Sequence, residues 1–199
     1  MQKLKVEWWI YLKTLAWVGP FSLVSYFYTN WRTDQVIRGF DVYFDYELRL
    51  PFFAPAAYLY CLLPLLLLLP PCILSEKLLK IFLRQLFIGC LLALAFFYIF
   101  PAPLAFIRPE PLNNVLGFIY SIDRPNNASF SLFQFYLALI TLACFSQLAS
   151  FKRLLLVSVS VLMALSGPLI WQQHLMGIMT AWVSAIVLRL SIRDIADPT

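Results

Sequence analysis

The chain has 199 residues, 62% of them hydrophobic and only 13% charged, with a mean hydropathy of +0.80. Soluble domains carry roughly 45–50% apolar and about 25% charged residues, so a fully water-covered surface is excluded and an integral membrane protein is expected. The net charge of +5 comes from basic residues scattered singly or in pairs. They form no stripe of the kind a nucleic-acid backbone requires, and read instead as topology signals and head-group contacts.

A bilayer core about 30 Å thick takes about 20 apolar residues per helix. In chain order, six stretches meet that need, at residues 7–28, 52–74, 81–100, 131–149, 154–171 and 175–190. The first contains Lys13 and Pro20 and is followed by no small-residue cleavage site, so a removable signal peptide is not expected. Residues 29–51 are mixed in charge and rich in aromatics, with Phe40, Tyr43, Phe44 and Leu48 at near-helical spacing, which predicts an interfacial helix. Pro64, Pro70 and Pro71 bend or end the second stretch. Residues 101–130 form a proline-rich loop, and Gly167-Pro168 interrupts the fifth stretch near its end. Only helices or closed barrels satisfy their backbone in lipid, and these runs are too long and continuous for barrel strands. The expectation is an all-α, polytopic six-helix transmembrane bundle, with residues 1–199 forming a single integral membrane domain.

If the helices alternate, Lys3, Lys5, Lys77, Lys80, Arg84, Lys152, Arg153, Arg189 and Arg193 share one side. The opposite loops dilute their arginines with acidic residues, so the positive-inside rule predicts both termini in the cytoplasm. Cys61, Cys72, Cys90 and Cys144 all fall in or at the ends of apolar stretches and read as small hydrophobes rather than a disulfide framework. No paired carboxylates, metal-ligand cluster or glycine-rich phosphate loop is present, so neither cofactor nor metal is expected.

Three patches face the side away from the termini: FPAPLAFIRPEP at 100–111, IDRPNNASFSLFQ at 122–134 and SGPLIWQQHLMG at 166–177. Arg108 precedes a span pair, Ser131 opens the fourth span and His174 opens the sixth. Helix N-termini favour anions, so these three residues converging there would make a phosphate pocket. Plainer roles are open for each: a head-group contact for Arg108, a helix N-cap for Ser131, and a loop-carbonyl bond for His174.

On these residues the chain resembles the type 2 phosphatidic acid phosphatase superfamily, in particular the branch that includes inositol phosphorylceramide synthases. The resemblance covers roughly residues 41–190. Its three motifs read Lys-x6-Arg-Pro, Pro-Ser-x-His and Ser-Arg-x5-His-x3-Asp. Arg108 and Pro109 match the first, with Pro101 in place of the lysine. Asp123, Pro125 and Asn127 resemble the lead-in to the second, and Ser131 matches its serine. Phe130 replaces the proline of that motif and Phe133 its histidine. Gln173-His174 matches the third, where Gly167 and Pro168 stand for Ser-Arg and Ile178 for the aspartate.

The resemblance implies six membrane helices and an outer or lumenal site where the last histidine attacks phosphorus. His174 is the only histidine of the chain. Ile178 cannot orient it, Phe133 cannot protonate a leaving oxygen, and two of the three phosphate cations are replaced. Arg124 could stand in for one cation, with Glu110 or Asp123 as a general acid of raised pKa. The leading expectation is a pseudoenzyme: a non-catalytic, multi-pass membrane protein that binds lipid or serves as an accessory subunit beside another integral membrane protein. The alternative is an active lipid phosphatase or phosphotransferase with His174 as nucleophile, and a third is a purely structural subunit of a large complex. A transporter is disfavoured by the scarcity of intramembrane charge.

Overall fold

A computed structural model describes residues 2–35, 39–107, 109–110, 114–122 and 128–196, with side chains throughout except at 2–5, 34, 122 and 193–196. Among these residues the chain is all-helical and contains no strand. Three helices are long and apolar enough to cross a membrane: Glu76–Ile99, Ser150–Leu169 and the stretch Leu175–Ile192.

The first expected span lies inside α1 (Gln2–Asp34), a 33-residue helix that would measure about 50 Å. Its hydroxyl side chains donate to carbonyls one turn back, as Thr14 does to Ile10, Ser22 to Val18 and Thr33 to Thr29. Polar residues are thereby accommodated within an apolar helix.

The second stretch does not form one helix. It is divided into α2 (Ala56–Tyr60), α3 (Leu63–Leu66) and α4 (Leu69–Ile73). Pro55 is the N-cap of α2, Pro64 lies in the first turn of α3, and Pro70 and Pro71 lie in the first turns of α4. Proline lacks an N–H and suits a helix start, so each one begins a short segment instead of bending a long one.

The remaining long helices are α5 (Glu76–Ile99), α7 (Leu132–Phe145) and α8 (Ser150–Leu169), followed by α9 (Leu175–Ala196). A further short helix, α6 (Asn114–Ile122), forms where the sequence reading placed only a loop. It buries Leu116 and Ile119 against Ala57 and Ile170, so its apolar face has a partner.

Helix α7 is the centre of the bundle, packed by α9, α8, α5 and α4. Its residues Phe135, Leu137, Ala138, Leu139 and Ile140 are fully buried. Close packing of α5 on α7 depends on Gly89, where the Phe135 ring occupies the space a Cβ would need. The loops 39–55 and 101–107 meet one end of the bundle: Phe40 N–H bonds Pro101 O, and Phe53 N–H bonds Leu169 O. These loops form a cap over the C-terminal ends of α5 and α8 and the N-terminal ends of α7 and α9.

Among the described residues of 29–51, the expected interfacial helix through Phe40, Tyr43, Phe44 and Leu48 does not form. Past the end of α1 at Asp34, the helical structure among the described residues of this segment is a 3₁₀ turn, Glu47–Arg49. Glu47 is wholly buried at its start, which anchors the segment to the cap and prevents the free amphipathic surface that the aromatic spacing suggested.

Candidate functional site around His174

The cap positions one polar constellation. Helix α8 ends in a tight turn in which Gln172 N–H bonds Gly167 O at 2.9 Å and Trp171 N–H bonds Pro168 O at 3.1 Å. Trp171 sits at the left-handed position of that turn, φ 53°, where glycine is the usual occupant. A bulky residue there costs of order 1–3 kcal/mol. Its ring supplies the compensation: Nε1 donates to Leu50 O at 3.1 Å, and it packs on Phe52 and Phe106. Three residues further on, His174 enters the cap just ahead of α9.

His174 is 1% exposed. Its Nδ1 lies 3.1 Å from Oε2 of Glu47, and its Nε2 accepts the Ala105 N–H at 3.0 Å. Because Nε2 is an acceptor, the ring proton sits on Nδ1 and is donated to the carboxylate. The imidazole stacks on Phe106, centroids 4.5 Å apart, with Tyr43 at 5.4 Å. Burial pushes the His174 pKa below its ordinary value, partly opposed by the hydrogen bond and charge of Glu47.

Glu47 does more than hold the ring. Its Oε2 also accepts the Leu175 N–H at 2.8 Å, and its Oε1 accepts Phe44 N–H at 3.0 Å. A carboxylate therefore occupies the N-terminus of α9, where the aligned peptide dipoles favour negative charge. The anion expected there from outside is supplied by the chain itself.

This corrects one point of chemistry. Ile178 does stand in the first turn of α9, with its N–H on His174 O at 3.2 Å. The carboxylate for Nδ1 comes instead from Glu47, 127 positions earlier in the chain. No local spacing links the two. The imidazole bonds a carboxylate and a backbone N–H, not the loop carbonyl considered from sequence.

The other singled-out residues divide clearly. Ser131 is the N-cap of α7, its Oγ accepting the Gln134 N–H at 3.2 Å. Gln173 joins a buried amide chain: its Oε1 accepts from Gln134 Nε2 at 2.9 Å and its Nε2 donates to Tyr60 OH at 3.1 Å. Phe133 stacks on Tyr60 with centroids 4.1 Å apart, and Phe130 is core, against Phe96, Phe97 and Phe135. Pro101 is buried and holds the 39–40 segment through its carbonyl. Arg108 and Arg124, together with Asp123, Pro125 and Asn127, lie outside the described residues.

Beneath this constellation lies an apolar cavity of about 520 Å³ between α1, α2–α3 and α7. Ser131, Phe133, Gln173 and His174 line one end, and Val18, Leu63 and Leu67 the body. Its α1 rim includes Leu23 and Phe27, 58% and 53% exposed, so it opens on the flank of the bundle. Pro101 and Ile178 do not line it. Among the described residues there is no cluster of side chains able to hold a metal ion.

Neither a family model, nor a curated protein, nor a solved structure matches this chain.

Proposed function

We propose that this protein is a non-catalytic, multi-pass membrane protein that binds a lipid in its flank-opening cavity and serves as an accessory subunit beside another integral membrane protein. The proposal includes six spans arranged as in the type 2 phosphatidic acid phosphatase fold. The basic end, with Lys80, Lys152 and Arg153, faces the cytoplasm together with both termini, and the cap faces the periplasm, lumen or exterior. One observation carries the reading: the only histidine has both ring nitrogens committed to partners inside the protein, beside a cavity of ligand size.

A nucleophile needs a free lone pair at Nε2, and here that lone pair faces a backbone N–H. Incubation of the purified protein with phosphatidic acid and isoprenoid diphosphates should release phosphate at background rates, unchanged by His174→Ala. A second reading, turnover through His174, is favoured by the Glu47 carboxylate on Nδ1, which is where an orienting acid belongs. It requires Ala105 to swing away from Nε2. Burst release of the dephosphorylated lipid with an acid-labile phosphohistidine, both lost in His174→Ala, would establish it and overturn the non-catalytic proposal.

A further inference from the structure

The cavity's chemistry is uneven along its length. Halfway down, Ser22, Tyr136 and Cys90 meet: Tyr136 OH donates to Ser22 Oγ at 3.2 Å, Ser22 donates to Val18 O at 2.7 Å, and Cys90 Sγ lies 3.3 Å from Tyr136 OH. Each hydroxyl there already has an internal acceptor, so this band lets an apolar chain pass without a polar match. At the His174 end the situation differs. The Ser131 hydroxyl accepts from Gln134 N–H, but its proton goes to no described residue. The Gln173 amide uses one donor and one acceptor internally and keeps one of each.

Charge is the second feature. No described residue lining the cavity is an arginine, lysine, aspartate or glutamate. The Glu47 carboxylate, bonded to the far side of the His174 ring, does not line the cavity and already occupies the α9 N-terminus. A phosphate entering this end would find the α9 N-terminus already satisfied by Glu47 and no described cation on the cavity wall. Burying an unpaired charge is far costlier than burying a hydrogen-bonded neutral group.

We infer that the cavity takes an uncharged lipid, its alcohol or carbonyl head bonded by Ser131 and Gln173 and its chain running past the Ser22–Tyr136 band, and that it rejects the phosphorylated counterpart. This rests on the lipid-binding reading above and adds the class of ligand. The head group is selected by hydrogen bonds at one end, and the tail by apolar contact along α1 and α3.

The test is competition between two probes that differ only in phosphate. The full chain, in lipid-free detergent micelles, is given equimolar diacylglycerol and phosphatidic acid with identical acyl chains, and retained lipid is quantified by native mass spectrometry. Diacylglycerol should be retained at least tenfold over phosphatidic acid. Gly19→Phe supplies the location: Gly19 lines the cavity, and a Cβ there meets nothing within 4 Å, so the ring fills the space without a backbone clash. Diacylglycerol retention should fall at least tenfold in this variant while the unfolding midpoint holds. Leu63→Trp, from the opposite wall, repeats the block should Gly19→Phe lower the midpoint.

Equal or preferential retention of phosphatidic acid would overturn this inference while leaving lipid binding intact. Undiminished diacylglycerol binding in both filled variants would overturn its location. Retention of neither lipid would refute the lipid-binding reading itself.

Discussion

At the scale of single residues, His174 and Glu47 decide the character of the cap. A buried imidazole that donates through Nδ1 and accepts through Nε2 is held in its neutral form, because a second ring proton would oppose the Ala105 N–H. The pKa of His174 is lowered from 6.5, first by burial. Between the two values the unfolded chain therefore binds more protons than the folded one, and stability rises with pH. The contribution is complete above about pH 6.5 and declines as pH falls through the folded value, with a slope of at most about 1.4 kcal/mol per pH unit. No second histidine titrates in that window. Thermal unfolding followed from pH 8 to pH 5.5 should show this decline in the parent protein, and a flatter profile in His174→Gln. An equal slope in both would place the pH dependence elsewhere.

At the scale of elements, two glycines in helix interiors should respond in opposite ways. In α5, Gly89 faces the Phe135 ring at the place where a Cβ would stand. Gly89→Ala should destabilise by about 1–3 kcal/mol, the usual cost of overfilling a packed core. In α1, Gly19 faces open space. Gly19→Ala should stabilise by up to about 1 kcal/mol through helix propensity alone. Denaturation midpoints of the two variants in one detergent check both signs.

Helix α1 shows how an element carries a pattern. Of its seven described buried residues, Asn30 adjoins Thr29 and the other six, Glu7, Tyr11, Val18, Ser22, Thr29 and Thr33, recur with an eleven-residue period. That is three turns at about 3.67 residues each, which keeps one face inward along a helix close to straight. Trp9, Trp17, Val24 and Trp31 fall on the outward face. Helix α1 continues through its single, exposed Pro20, whereas the second stretch, whose prolines recur within a few residues, is divided.

At the scale of the whole molecule, charge is distributed between the two ends. Lys80 pairs with Glu76 at 2.6 Å at the end away from the cap, where Lys152 and Arg153 also lie. Asp45 and Arg49 stand exposed on the cap. With the proposed orientation, a cysteine introduced at Asp45 should react with a membrane-impermeant maleimide in intact cells. One introduced at Lys152 should react only after permeabilisation. The reverse pattern would invert the topology. Exposed Cys61 and Cys72 set the background to subtract.

Much of the architecture was legible in the amino-acid order. Apolar run length located α1, α5, α8 and α9, with ends up to six residues off, because hydrophobic transfer acts on every residue where it stands. Ser131 as the cap of α7 was legible too, since capping is decided within one turn. The division of the second stretch followed from proline chemistry, though its extent did not, because a proline can start, bend or end a helix depending on what packs around it. Tertiary structure alone decided that Glu47 reaches His174, that Ala105 closes Nε2, that Phe130 is core while Phe133 stacks on Tyr60, and that a cavity remains beneath them. These are contacts between segments up to 127 residues apart. Their geometry depends on how helices of different length meet at the cap, which no local pattern encodes.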